Sequence, residues 1–158
     1  MARRRRSGAA SHTAVQEKHL GRVRLLLADD HADFLATAVR VLDGEFDVVG
    51  AFADAESLLQ EASGLRPDAV VLDITLPGVN GIEAARRLKA GGDGAAVVFL
   101  TVHSDPDYVR EALATGALGY VVKSRLASDL VPALKEALAG RLFISSCIPM
   151  ENRGEDIV

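Results

Sequence analysis

Five short apolar runs lie along this chain, at 23–28, 46–52, 69–72, 96–101 and 118–122, and each is followed by a stretch of helical character. The runs are rich in Val, Leu and Ala and too short for helices, so they read as strands buried on both faces. The stretches at about 32–43, 54–63, 80–90, 105–115 and 126–139 carry helical spacing. In 80–90, Ile82, Ala85 and Leu88 recur three apart, with Glu83, Arg86, Arg87 and Lys89 between them. Five strands alternating with five helices specify an α/β fold, a doubly wound five-stranded parallel sheet covered on both faces.

Start and stop signals agree with that division. Asp54 and Asn80 are suited to cap helix starts, and Asp105-Pro106 puts proline at a first helical position. Ser128 is expected to cap the last helix, leaving Pro132 in its first turn. Gly44, Gly64, Gly91 and Gly140 are expected to close helices in the left-handed conformation.

A chain of 158 residues suggests one domain, and 49% hydrophobic residues give it material for a core. With five Phe, two Tyr and no Trp, that core must be built from Ala, Val and Leu. The single Cys147 excludes an internal disulfide framework and a cysteine-based metal site, as expected for a cytoplasmic protein. No apolar stretch approaches the ~20 residues needed to span a bilayer, so no membrane association is expected. Residues 1–21 read as a disordered basic arm, with Arg3, Arg4, Arg5, Arg6 and Lys18 against Glu17. The body is correspondingly acidic, which argues against a nucleic-acid surface on it. The domain is expected over 22–144 and a polar tail over 145–158, with no output module.

The chemistry sits at the strand ends. The first run ends at Ala28 and is followed by Asp29 and Asp30; the third, Ala69-Val70-Val71-Leu72, runs straight into Asp73 before Leu76-Pro77-Gly78 forces a turn. The fourth ends in Thr101, and Lys123 follows the fifth. In a parallel sheet these ends meet on one edge, where open α/β folds place their ligands. Two carboxylates about 4 Å apart repel by roughly 4 kcal/mol at an effective dielectric near 20, so such a cluster implies a divalent cation. Mg²⁺ takes oxygen ligands, commonly one or two carboxylates plus phosphate oxygens. A carboxylate can itself be the nucleophile that forms an acyl phosphate. Lysine and threonine then supply charge and a hydrogen bond to phosphoryl oxygens.

Leu27-Ala28-Asp29-Asp30-His31, the segment from Val71 through Asp73 to Gly81, Leu100-Thr101 and Gly119-Tyr120-Val121-Val122-Lys123 together resemble the receiver domain of bacterial two-component response regulators, of the NarL/FixJ type. The resemblance covers about 22–144 and implies a flavodoxin-like fold. It implies that Asp73 accepts a phosphoryl group from a phosphohistidine on a sensor histidine kinase or phosphotransfer protein. Asp29, Asp30, Asp73 and the backbone carbonyl of Thr75 would bind Mg²⁺, with Asp29 acting through water. Thr101 and Lys123 would bind phosphoryl oxygens, and Thr101 with Tyr120 would form the switch. Thr75 and His103 fall where members tune access of hydrolytic water, and His31 reads as a helix-start residue. The family often has Lys-Pro with a cis bond where this chain has Lys123-Ser124. Output is expected through an effector protein contacting 105–139, without sequence-specific DNA binding, and a homodimer is compatible.

Two other readings compete. A Mg²⁺-dependent aspartyl phosphohydrolase would want a second acid two residues after the nucleophile, where this chain has Thr75. A receiver-shaped interaction module that never takes phosphate would keep the fold without using its acids.

Overall fold

The computed structural model describes residues 22–92 and 94–148. The elements run β1 (Val23–Ala28), α1 (Ala32–Leu42), β2 (Phe46–Phe52), α2 (Ala55–Leu65), β3 (Ala69–Leu72) and α3 (Gly81–Ala90). They continue through β4 (Ala96–Thr101), α4 (Pro106–Leu113), β5 (Gly119–Val122), a 3₁₀ turn (Lys123–Arg125), α5 (Leu126–Leu138) and β6 (Phe143–Ile144). All strands pair in parallel in the order β2-β1-β3-β4-β5-β6. The order reverses between β1 and β3, and at that switch point the following loops part to open a crevice.

Alternate residues of each strand enter opposite layers, as strand geometry requires. Leu26, Val70, Leu72, Val97 and Phe99 pack against α2, α3 and α4. Leu25, Leu27, Val71, Val98 and Leu100 pack against α1 and α5. Every residue of β3 is buried, so the run that delivers Asp73 is fixed from both faces and both edges.

Capping follows the sequence at three helices. The Asp54 side chain accepts from Ser57 N at 2.7 Å, Asn80 from Glu83 N at 2.9 Å, and Asp105 from Asp107 N at 2.8 Å with Pro106 opening α4. The glycine caps need correction. Of the four expected, Gly140 alone is left-handed (φ 81°). Gly64 lies inside α2, which ends at a left-handed Arg66 (φ 51°). The Arg24 guanidinium bonds the Leu65 carbonyl at 2.7 and 3.1 Å, so a charged side chain satisfies that helix end. A Cβ on Gly64 meets nothing within 4 Å. Gly64→Ala therefore raises stability by about 0.5–1 kcal/mol, read as an increased denaturation midpoint at unchanged slope.

The last helix also differs. It grows directly out of the 3₁₀ turn at Leu126 instead of starting at Ser128, which leaves Pro132 inside it. Burial of Leu126 and Leu130 extends the helix toward the site, overriding the local cap signal. The Lys123–Ser124 bond is trans.

The sheet has six strands, one more than expected. Phe143 and Ile144 pair with Gly119 and Tyr120. Two residues are too few to show periodicity, yet the exposed edge of β5 offers unpaired backbone groups that recruit them. Packing continues past 144, because Ser145 is fully buried and Ile148 joins the core. The basic arm and residues 149–158 lie outside the described residues. No helix among the described residues is long and apolar enough to cross a membrane.

Candidate functional site

Asp29, Asp73, Thr101 and Lys123 meet at the carboxyl edge of the sheet, each at most 5% exposed. The Lys123 Nζ lies 2.8 Å from Asp29 Oδ2 and 2.9 Å from Asp73 Oδ2. Burial pushes the ammonium's pKa down, but hydrogen bonds and charge from Asp29 and Asp73 outweigh it and hold it above the ordinary lysine value. Lys123 is therefore charged at neutral pH.

One oxygen of Asp73 is thus engaged. The other, Oδ1, is buried without a hydrogen-bond partner among the described residues. A buried carboxylate oxygen left this way is costly unless something charged comes to it. Ligand atoms of Asp29, Asp30, His31 and Asp73 all lie within 4.8 Å of one another. Three carboxylates against one ammonium leave two negative charges, which a divalent cation would balance. Hard oxygen donors beside an orphaned carboxylate oxygen fit Mg²⁺.

Asp30 is the open side of the cluster, its side chain 40% exposed. His31 stands at the start of α1, as expected, with its backbone N donating to Asp29 Oδ1 at 2.8 Å. Its ring Nδ1 lies 3.3 Å from Asp30 Oδ1 and 3.4 Å from Asp29 Oδ1, so it borders the acids. Mg²⁺ favours the oxygen donors beside it.

The loops after β3 and β4 are joined across the site. Thr75 Oγ1 and His103 Nε2 are 2.6 Å apart, and the His103 ring stacks on Tyr108 of α4 at 4.3 Å. Thr101 Oγ1 accepts from His103 N at 3.4 Å. Tyr120 is fully buried and its hydroxyl donates to the His103 carbonyl at 2.8 Å. Its ring therefore occupies the inward position. Burial, then the charge of Asp73, pushes its phenol far above the usual range, so it remains a donor.

Phe34 and Ser145 escaped the sequence reading, and Gly81 entered it only as part of the motif, with no role of its own. Phe34 places its ring 4.4 Å from the Lys123 ammonium, a cation–π contact closing one flank of the site. Its position one helical turn after Asp30 was the available signal. A Cβ on Gly81 would fall 1.9 Å from the Asp73 carbonyl oxygen, so the start of α3 comes this close only as glycine. Ser145, assigned to a tail, is buried behind β5 and gave no signal.

Residues 25–135 match the response regulator receiver domain. The chain is 34% identical over 125 residues to the transcriptional regulatory protein DegU of Brevibacillus brevis, covering 78% of this chain and 53% of that protein. It is 34% identical over 127 residues to the nitrate/nitrite response regulator protein NarL of Escherichia coli K12, covering 78% and 58% respectively. The chain thus spans little more than half the length of these relatives. Among solved structures, a LuxR-family two-component response regulator from Aurantimonas sp. SI85-9A1 superposes with a TM-score of 0.79 at 34% identity, over 87% of this chain and 99% of that one. The isolated REC domain of RcsB from Salmonella enterica serovar Typhimurium, solved with the phosphomimetic BeF3⁻, gives 0.74 at 25% identity, over 79% and 94%.

Proposed function

The chain belongs to the response regulator receiver domain family, and on that premise we propose that Asp73 is its phosphoacceptor, charged by a sensor histidine kinase or a phosphotransfer protein. Members of this family are signalling proteins, and the receiver domain is assigned to 22–144 with the packed residues to Ile148 attached. The observation that carries the assignment is the split state of the Asp73 carboxylate. Lys123 holds Oδ2, and Oδ1 is buried with no hydrogen-bond partner among the described residues, beside two further acids.

In the proposed reaction an Asp73 oxygen attacks phosphorus, an O–P bond forms, and the N–P bond to the donor imidazole breaks with its electron pair leaving on nitrogen. Mg²⁺, held by Asp29, Asp30, Asp73 and the Thr75 carbonyl, would supply charge stabilisation for the transferring phosphoryl oxygens. Lys123 is placed to move from its two-carboxylate contact toward a phosphoryl oxygen, and Thr101 to donate its hydroxyl. The Thr75–His103 contact joins the loops after β3 and β4, and screening of a hydrolytic water is the role assigned to it. With Tyr120 bonded to the His103 carbonyl and His103 stacked on Tyr108, a change at Thr101 has a physical route to the 105–139 face. Output is assigned to a protein effector reading that face.

The phosphohydrolase reading is not favoured. The position two residues after Asp73 is Thr75, whose hydroxyl is engaged by His103 and is no general acid.

Incubation with acetyl phosphate and Mg²⁺ is expected to give one acid-stable, base-labile phosphoryl adduct by intact mass. The adduct maps to Asp73, disappears with chelator and is absent from Asp73→Asn. No adduct under conditions that label a control receiver would point to the phosphate-independent module instead.

A further inference from the structure

Beyond β6 the chain turns back into the domain. Ser145 N donates to the Tyr120 carbonyl at 2.9 Å, continuing the parallel ladder on β5. One step further along β5 the ladder changes character. The Val122 N–H donates to the Ser145 side-chain oxygen, at 3.2 Å, instead of to a backbone carbonyl. That hydroxyl donates in turn to Asp129 Oδ2 at 2.8 Å. Asp129 lies in the first turn of α5, 6% exposed, and also receives Ser128 Oγ at 2.9 Å and Arg125 Nε at 3.4 Å.

The direction of this chain is set by chemistry. Burial pushes the Asp129 carboxyl up, but the bonds from Ser145, Ser128 and Arg125 together outweigh it and hold it below the usual carboxylate range. An ionised carboxylate only accepts, so the single Ser145 proton points at Asp129 and a lone pair is left for Val122 N–H. Val122 immediately precedes Lys123, and the 3₁₀ turn from Lys123 to Arg125 is enclosed between Val122 and Asp129. A displacement at this end of β5 passes directly to the ammonium that holds Asp29 and Asp73.

We propose that Ser145 and Asp129 are positioning residues for Lys123, the relay from Val122 N–H through the Ser145 hydroxyl to the Asp129 carboxylate fixing the strand end from which the lysine reaches the phosphoacceptor. This rests on the receiver reading of the site. It gives a role in the chemistry to a segment whose sequence looks like the start of a tail.

The test uses the full chain and four variants: Ser145→Ala, Asp129→Asn, the double variant, and Ser145→Thr, which keeps a hydroxyl. Leu65→Ala, whose side chain packs on the core away from the site, serves as the stability control. Amide exchange at Val122 is measured without Mg²⁺ or phosphodonor, and initial adduct formation is measured with acetyl phosphate at saturating Mg²⁺. Ser145→Ala is expected to speed Val122 exchange and slow labelling about 10-fold, since small misplacements of a reacting group are costly. The double variant is no slower than the slower single one, because both cut the same chain. Ser145→Thr recovers most of the rate.

Faster Val122 exchange with a wild-type labelling rate in Ser145→Ala overturns the proposal and leaves the hydroxyl a simple anchor. Equal slowing in an equally destabilised Leu65→Ala overturns it as well. A wild type that takes no phosphoryl group refutes the receiver reading and this proposal with it. A labelled wild type beside an unimpaired Ser145→Ala refutes this proposal alone.

Discussion

Replacing Lys123 with methionine lowers the stability of the metal-free protein by about 3–5 kcal/mol, the usual cost of removing one partner from a buried ion pair. The ammonium, itself 4% exposed, is shared between two carboxylates that are 5% and 3% exposed. Without it, Asp29 and Asp73 face one another with no compensating charge, and their repulsion strains this edge of the sheet. Mg²⁺ supplies the missing charge, so it stabilises Lys123→Met more than wild type. Chemical denaturation of both proteins with and without Mg²⁺ measures this difference directly. Equal stabilisation of the two would mean that the ion does not occupy the acidic cluster. Under the proposed reaction, labelling of Asp73 by acetyl phosphate also falls in the variant, because Lys123 is the cation assigned to the phosphoryl oxygens. Alkali adds an independent sign. The Lys123 pKa is raised in the folded state, so its contribution is complete below the unfolded lysine value near 10.4 and is lost as pH rises through the folded value. Lys123→Met lacks that alkaline limb.

Gly81→Ala produces the second large effect, and it acts through the backbone. The added Cβ would lie 1.9 Å from the Asp73 carbonyl oxygen, 2.8 Å from its carbonyl carbon and 3.0 Å from Ile74 Cα. None of these atoms belongs to a flexible side chain that could swing away. Either α3 retreats, stretching the 2.7 Å bond from Gly81 N to the Ile74 carbonyl, or the backbone carrying Asp73 moves. Overpacking of this kind costs about 1–3 kcal/mol and occasionally more. If Asp73 is the acceptor as proposed, displacing it by about 1 Å is enough for a ~100-fold loss of rate. The expected result is a lower denaturation midpoint together with labelling of Asp73 slowed about 100-fold. Wild-type labelling in a folded Gly81→Ala protein would show that the loop absorbs the methyl without moving the acceptor.

The acids and the lysine were legible because each follows a strand whose apolar content marks it. Val71-Leu72-Asp73 needs no partner to be read as a buried run ending in a carboxylate, and the alternation of elements then puts all such ends on one edge. Helix starts were legible where a side chain caps its own helix, as at Asp54, Asn80 and Asp105. The left-handed glycine caps failed where a distant side chain did the work. Arg24 closes α2 across 41 residues of sequence, and no local pattern reports that.

Local sequence is enough to read five of the six strands, the five helices, and the sheet edge on which Asp29, Asp30, Asp73, Thr101 and Lys123 stand. These follow from local periodicity, turn residues and the right-handed parallel crossover, all of which act over a few residues or apply to every chain. Tertiary packing, by contrast, settles which oxygen of Asp73 is held by Lys123 and which is left open. It also decides that Phe34 flanks the ammonium, that Gly81 admits α3 to the Asp73 backbone, and that Ser145 packs into the domain. Each of these depends on distances between segments far apart in the chain. A two-residue strand and a buried serine declare themselves only when the unpaired edge of β5 is there to receive them.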